Sequence, residues 1–141
     1  MNLHVLPSTA LNGTLRIPGS KSQSVRALLV ATLAKGVSTL HFLPESEDVS
    51  AALEVCKNLG AHIESADCHQ NCIHIEGGGV PLRPLKNSLW TDSSGITTRF
   101  TLPLLALTAD TQVMHVDADE QMRKRPIQDL LKNLSDLGCH I

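Results

Sequence analysis

Pro18-Gly19-Ser20-Lys21-Ser22 places two hydroxyls, an ammonium and a run of backbone N–H groups just ahead of an apolar stretch that reads as a helix from about Gln23. This combination suits an anion. The first N–H groups of a helix lack partners within it, and the helix dipole is positive at that end. The loop is not a nucleotide-triphosphate cradle, because Gly13 and Gly19 enclose five residues and Ser20 separates Gly19 from Lys21. Arg26 follows one turn in. Val25 to Ala34 is apolar almost all round, so the helix is expected to bury several faces, and a buried guanidinium needs an anionic partner. Helical side chains lean toward the N-terminus, which aims Arg26 at Lys21 and Ser22. Its partner is either a bound anion or an internal carboxylate such as Asp48.

Two further groups have the same character. Ser93-Ser94-Gly95 precedes a second apolar stretch with Arg99 one turn in, and Gly95 lets a ligand approach the backbone. By itself this is an ordinary glycine-containing cap. Arg123-Lys124-Arg125 directly precedes Pro126, a residue suited to the first position of a last helix, with Arg125 at its mouth. In isolation it is equally a solvated basic turn. Lys21, Arg26, Arg99 and Arg123 to Arg125 are six of the 12 Lys and Arg residues. If their helices run side by side, their fields add, and the expected ligand is small and multiply anionic, such as one phosphate plus a carboxylate.

The elements that must position these groups come from an internal repeat. Val49, Ala52, Leu53, Cys56 and Leu59 fall on one helical face, capped by Asp48 and Gly60, and the same comb returns 78 residues later as Ile127, Leu130, Leu131, Leu134 and Leu137 before Gly138. Both helices exit into similar strands, Leu59 to Ile63 and Leu137 to Ile141. Upstream, Ser22 to Arg26 corresponds to Gly95 to Arg99 at an offset of 73. Thr39 to Leu43 and Gln112 to Val116 read as middle strands. In the first copy the last strand continues through Glu64 to Gln70 into a partner at Cys72 to Ile75, ending at Gly77 to Gly79. The expected fold is α/β, built from repeated β-α-β-α-β-β units. Residues 20–80 form the first and 81–141 an incomplete second, whose last strand lacks a partner. The opening residues, 1–19, read as two short strands around Asn12-Gly13 and lie outside both copies.

Composition bounds the function. Hydrophobic residues make up 42% of the 141 and charged ones 18%, which excludes disorder as the main state. A formal charge of −2 argues against a nucleic-acid partner. Phe42, Trp90 and Phe100 are the only aromatic residues, so the core must be aliphatic and no stacking platform is expected. The longest apolar run, Ala27 to Ala34, is far short of the roughly 18 residues of a membrane span. The N-terminus shows no secretory signal, which points to the cytoplasm. Cys56, Cys68, Cys72 and Cys139 are then expected to be reduced. Cys68 and Cys72 with His69 and His74 lack the paired ligand spacing of a structural zinc site, so no metal is expected there.

Pro18-Gly19-Ser20-Lys21-Ser22-Gln23-Ser24-Val25-Arg26-Ala27-Leu28-Leu29 resembles the signature of the 5-enolpyruvylshikimate-3-phosphate (EPSP) synthase family. Arg123-Lys124-Arg125-Pro126-Ile127 resembles its second basic motif, and Glu47-Asp48-Val49 and Leu59-Gly60 match the spacing between them. The resemblance implies the enolpyruvyl transferase fold, an inside-out α/β barrel of two domains with the site in the cleft between them. Residues 1–19 would belong with the other domain, and the chain would be about the first third of an enzyme, inactive alone and monomeric when complete. The implied reaction transfers the enolpyruvyl group of phosphoenolpyruvate to the 5-hydroxyl of shikimate 3-phosphate, without metal or cofactor. By the same resemblance Lys21 would touch both substrates, Ser22 and Arg26 would bind shikimate 3-phosphate, and Gly95 and Arg125 would bind phosphoenolpyruvate. Ser93 and Arg99 would support that second group, and the acid and base groups would lie beyond Ile141. Two motifs depart from the pattern. Asp92-Ser93-Ser94-Gly95-Ile96 stands where Gly-Asn-x-Gly-Thr is usual, and Val25 replaces an Asn. Ile96 is therefore expected to narrow the phosphoenolpyruvate pocket. The departures also admit a paralogue with a different acceptor, or a non-catalytic anion-binding relative.

Overall fold

Ser20 and Ser94 each begin a helix by accepting a hydrogen bond from the backbone N–H three residues on, Gln23 and Thr97 respectively. In the computed structural model, which describes residues 2–7, 10–66, 71–109 and 112–141, these caps open α1 (Lys21–Leu33) and α3 (Gly95–Leu105). The other elements are β1 (Lys35–Leu40), α2 (Glu47–Asn58), β2 (His62–Ser65), β3 (Ile73–Gly78), β4 (Ser88–Trp90), β5 (His115–Asp117), α4 (Glu120–Arg123) and α5 (Gln128–Asp136).

β1, β3 and β2 form an antiparallel sheet in that order, and β4 and β5 form a parallel pair with Leu89 opposite Val116. On β3 the apolar Ile73 and Ile75 alternate with exposed His74 and Glu76, so one face of the sheet is turned inward. That face packs under α1. A side chain at Gly77 would fall on the carbonyl oxygens of Ala31, Thr32 and Ala34, so only glycine lets the helix end come down onto the strand. Val25, Leu28, Leu29, Val49, Ala52, Val55, Cys56, Leu59, Ile75 and Leu89 make up the centre of an aliphatic core, while Phe42, Trp90 and Phe100 stay exposed.

The repeat is present as α1 with α3, β1 with β5, and α2 with α5, each near its expected place. The differences are instructive. The middle strands run Lys35–Leu40 and His115–Asp117, in place of Thr39 to Leu43 and Gln112 to Val116. Their limits follow the pairings Lys35 with Gly78 and Ser88 with His115, which depend on distant residues. Residues 139–141, expected as a strand, are not in one, and no strand among the described residues pairs with them. The described part of the opening segment also forms no hairpin. Leu3, Val5, Leu6, Leu11, Leu15 and Ile17 are all exposed, and a two-stranded hairpin without a covered face is marginal in water. The last helix starts at Gln128 without a side-chain cap, two residues past Pro126, and buries only Leu134 among the described side chains. The stretch before it forms α4, capped by Asp119, an element the hydrophobic pattern did not show.

Cys56 and Cys139 are free thiols, and burial pushes the Cys56 thiol up to about 11, leaving it as core filler. Cys72, expected to be reduced, is instead disulfide-bonded. The hairpin ladder continues to Ala66, whose N–H donates to the Cys72 carbonyl at 3.1 Å. Cys68 and His69 also lie outside the described residues, and the His74 ring nitrogen is 3.0 Å from the Thr39 hydroxyl. No helix among the described residues is long and apolar enough to cross a membrane.

Candidate active site at three helix starts

The turn that carries Lys21 is pressed against the backbone of another loop. A side chain on Gly19 would overlap the Phe42 carbonyl oxygen, and Phe42 itself sits at φ 60. That loop is tied down at Leu43, whose N–H donates to the Asn71 carbonyl at 3.2 Å while the Asn71 amide donates back to the Leu43 carbonyl at 3.3 Å. With the turn fixed, the Lys21 ammonium lies 2.8 Å from Asp48 Oδ2.

Asp48 is the residue the sequence reading placed wrongly. Ser46 caps α2, accepting from the Val49 N–H at 3.3 Å, which frees Asp48 to point between helices. Its other carboxylate oxygen accepts from the Ser94 hydroxyl at 2.6 Å, and its carbonyl accepts from the Thr97 hydroxyl at 3.3 Å. One side chain thereby joins the starts of α1, α2 and α3. Burial works to raise its carboxyl, but hydrogen bonds from Lys21 and Ser94 and the charge of Lys21 outweigh it and hold the group below 3.8.

Arg26 is exposed, contrary to the expectation of a buried helix face, because α1 leaves Lys21, Gln23, Arg26 and Val30 uncovered. It takes no carboxylate partner among the described residues. Its guanidinium donates to the Ser22 carbonyl at 3.3 Å and stands over the Phe100 ring.

At the mouth of α3, Arg99 and Arg125 converge. A methyl group built on Gly95 would meet one guanidinium nitrogen of Arg99 at 2.8 Å, one of Arg125 at 3.2 Å and the Met122 sulfur at 3.4 Å. Arg99 is held by the carbonyls of Gly95, at 3.2 Å, and Pro126, at 3.1 Å. Arg125 therefore serves the α3 mouth and not the start of α5. Arg123 and Lys124 do not join it. They close the C-terminal end of α4, where cations are favoured. Arg123 forks onto Asp117 at 2.6 and 2.8 Å, holding that carboxyl below its ordinary value, and Lys124 pairs with Glu120 at 2.6 Å. Ser93 donates to Glu47 at 3.4 Å, and Ile96 is half-buried against the core.

Beneath the mouth lies a layer of buried threonines. Thr98 donates to the Ser94 carbonyl at 2.8 Å, and the Thr91 hydroxyl to the Asp117 carbonyl at 3.1 Å, which locks the β4–α3 turn onto β5. The result is a rigid rim with a hydroxyl-bound carboxylate, an ammonium, and two guanidiniums over a glycine at a positive helix end. Such a surface can hold and orient a pair of anions.

Residues 5–141 match the family model of EPSP synthase (3-phosphoshikimate 1-carboxyvinyltransferase). The chain belongs to the EPSP synthase family. It is 40% identical over 140 residues to the 3-phosphoshikimate 1-carboxyvinyltransferase of Acetivibrio thermocellus, covering 99% of this chain and 31% of that protein. With the enzyme of the same name from Shewanella denitrificans the identity is 36%, over 99% of this chain and 32% of the relative. EPSP synthase from Acinetobacter baumannii superposes on 91% of this chain and 28% of its own, with a TM-score of 0.79 at 27% identity. The α/β units are thus those of the enolpyruvyl transferase fold, and the chain spans about a third of the length of the EPSP synthases it matches.

Proposed function

We propose that this chain forms one wall of an EPSP synthase cleft, in which the enolpyruvyl group of phosphoenolpyruvate is transferred to the 5-hydroxyl of shikimate 3-phosphate with release of phosphate. The convergence of Arg99 and Arg125 on Gly95 carries the reading. Two guanidiniums with no carboxylate partner among the described residues, at a helix N-terminus, form a site for a compact multiply charged anion such as phosphoenolpyruvate. Lys21, the first residue of α1, is tied through Asp48 to the Ser94 cap of α3 and touches both substrates; Ser22 and Arg26 take shikimate 3-phosphate at the α1 mouth, and Ser93 lines the edge. The contribution of this wall is charge neutralisation and orientation of two anions that repel each other. Proton transfer to and from the reacting carbons falls to groups outside this chain, carried by the sequence that relatives have beyond the matched third. The opening residues, through 19, extend their uncovered apolar side chains to complete a sheet of the other domain. Residues 20–80 and 81–141 are successive units of the first domain. The complete protein works as a cytoplasmic monomer, and Ile96 beside Gly95 narrows the phosphoenolpyruvate pocket.

The test is sequential. The complete protein is titrated with shikimate 3-phosphate, phosphoenolpyruvate is added, and phosphate release is followed. Saturable binding followed by release is expected, with the 141-residue chain alone releasing none. Binding without release by the complete protein refutes the catalytic reading.

A further inference from the structure

We propose that Phe100 is a positioning residue for Arg26, holding the guanidinium at full charge where it meets shikimate 3-phosphate. This inference rests on the substrate reading above and adds a residue that lies in neither basic motif.

Arg26 Cζ is 5.4 Å from the centroid of the Phe100 ring, and one guanidinium nitrogen donates to the Ser22 carbonyl at 3.3 Å. A ring face and a carbonyl oxygen attract a cation through partial charge only, so they fix its place without neutralising it. Lys21, Arg123 and Lys124 are treated differently, each being paired with a carboxylate within 2.8 Å. Arg26 keeps its whole charge for an incoming anion.

The surroundings favour the same arrangement. Arg26 and Phe100 sit on an apolar groove of about 180 Å³ between α1 and α3, otherwise lined by Leu29, Val30, Leu33 and Leu104. The arginine stem is laid along apolar surface, which offers its head no competing polar partner on that side. α3 therefore serves two cations with adjacent residues: Arg99 is drawn to Gly95 at the mouth, and Phe100 reaches across to α1 and steadies Arg26. Phe100 is 41% exposed, so its substitution leaves the core intact.

Phe100→Leu keeps the apolar contact and removes the ring face, while Phe100→Tyr keeps the ring. In the complete protein, the Arg26 Cδ protons are expected to show an upfield ring-current shift that is lost in Phe100→Leu and retained in Phe100→Tyr. The Kd for shikimate 3-phosphate should rise roughly two- to fivefold in Phe100→Leu and return to the native value in Phe100→Tyr, the strength of an exposed cation–π contact. The KM for phosphoenolpyruvate and the thermal midpoint should not move, which separates positioning from a general loss of structure. Absence of the ring-current shift in the native protein overturns the proposal, as does native affinity in Phe100→Leu or a parallel rise in the phosphoenolpyruvate KM. If the native protein binds no shikimate 3-phosphate, the substrate reading fails on its own. The ring-current shift and a titration with inorganic phosphate then decide the role of Phe100.

Discussion

Asp48 shows how one side chain can set the state of a binding surface. It accepts from Lys21 and Ser94 at 2.8 and 2.6 Å, with 19% of its side chain exposed, so its ionised form is worth more in the folded than in the unfolded chain. The folded-state carboxyl titrates below the ordinary 3.8. Its contribution to stability is therefore fully present above that pH and is lost as pH falls through the lower folded-state value. Asp48→Asn preserves shape and removes the charge. We expect it to cost about 1.5–3 kcal/mol at neutral pH, the range for hydrogen bonds to a charged group, with the gap to the native protein closing as the solution is acidified below 3.8. Urea denaturation at fixed ionic strength across that range checks this, and a gap that stays constant on acidification would count against it. At the next turn, Ile96 poses a question of bulk. Ile96→Thr in the complete protein is expected to strengthen binding of glyphosate-like analogues more than of phosphoenolpyruvate, and unchanged inhibitor affinity in a competition assay would sink the idea.

Elements are held in place here by close backbone approach. Gly77 on β3 lies under the last turn of α1, and the added methyl of Gly77→Ala would fall on three backbone oxygens that cannot rotate away. We expect a loss of about 1–3 kcal/mol or more, as for overpacking in general, measured by denaturant titration. Gly78→Ala, with open space around the new methyl group, should stay near native. Comparable losses in both variants would mean that strand propensity and not the contact is responsible. The same distinction explains which elements were legible in sequence. The starts of α1 and α3 depend on serine caps and an apolar run a few residues long; the α3 start was readable at Ser93 to Gly95, while the α1 start was placed near Gln23, two residues late, because Ser20 and Ser22 both suit a cap. β1 was misplaced because its limits are set by pairing with the glycine-ended β3 in another part of the chain. α4 was invisible because its four residues have no periodicity of their own. It exists through the Asp119 cap and the Arg123–Asp117 fork, and its presence turns Arg123 and Lys124 from helix-start cations into helix-end ones. Asp48 was mistaken for a cap because Ser46 competes for that role locally, while Lys21 and Ser94 become its neighbours only once three helices have packed.

On the scale of the whole molecule, a formal charge of −2 conceals an uneven distribution. Of the six basic residues singled out in sequence, Lys21, Arg123 and Lys124 are matched by carboxylates. Arg26, Arg99 and Arg125 have no such match among the described residues. Arg99 and Arg125 moreover approach each other over Gly95 at the positive end of α3. Their repulsion is borne by the fold until an anion arrives. A divalent anion that binds only the folded state must therefore stabilise it, by roughly 2.7 kcal/mol when present at a hundred times its Kd. In the complete protein, phosphate should raise Tm more than chloride at equal ionic strength, since general screening is then held constant. Arg125→Ala should remove most of the excess. Lys124→Ala, which loses only the exposed pair with Glu120, should leave it in place. Equal responses to phosphate and chloride, or equal losses in the two variants, would mean that the protein responds to bulk charge and not to a site at the α3 mouth.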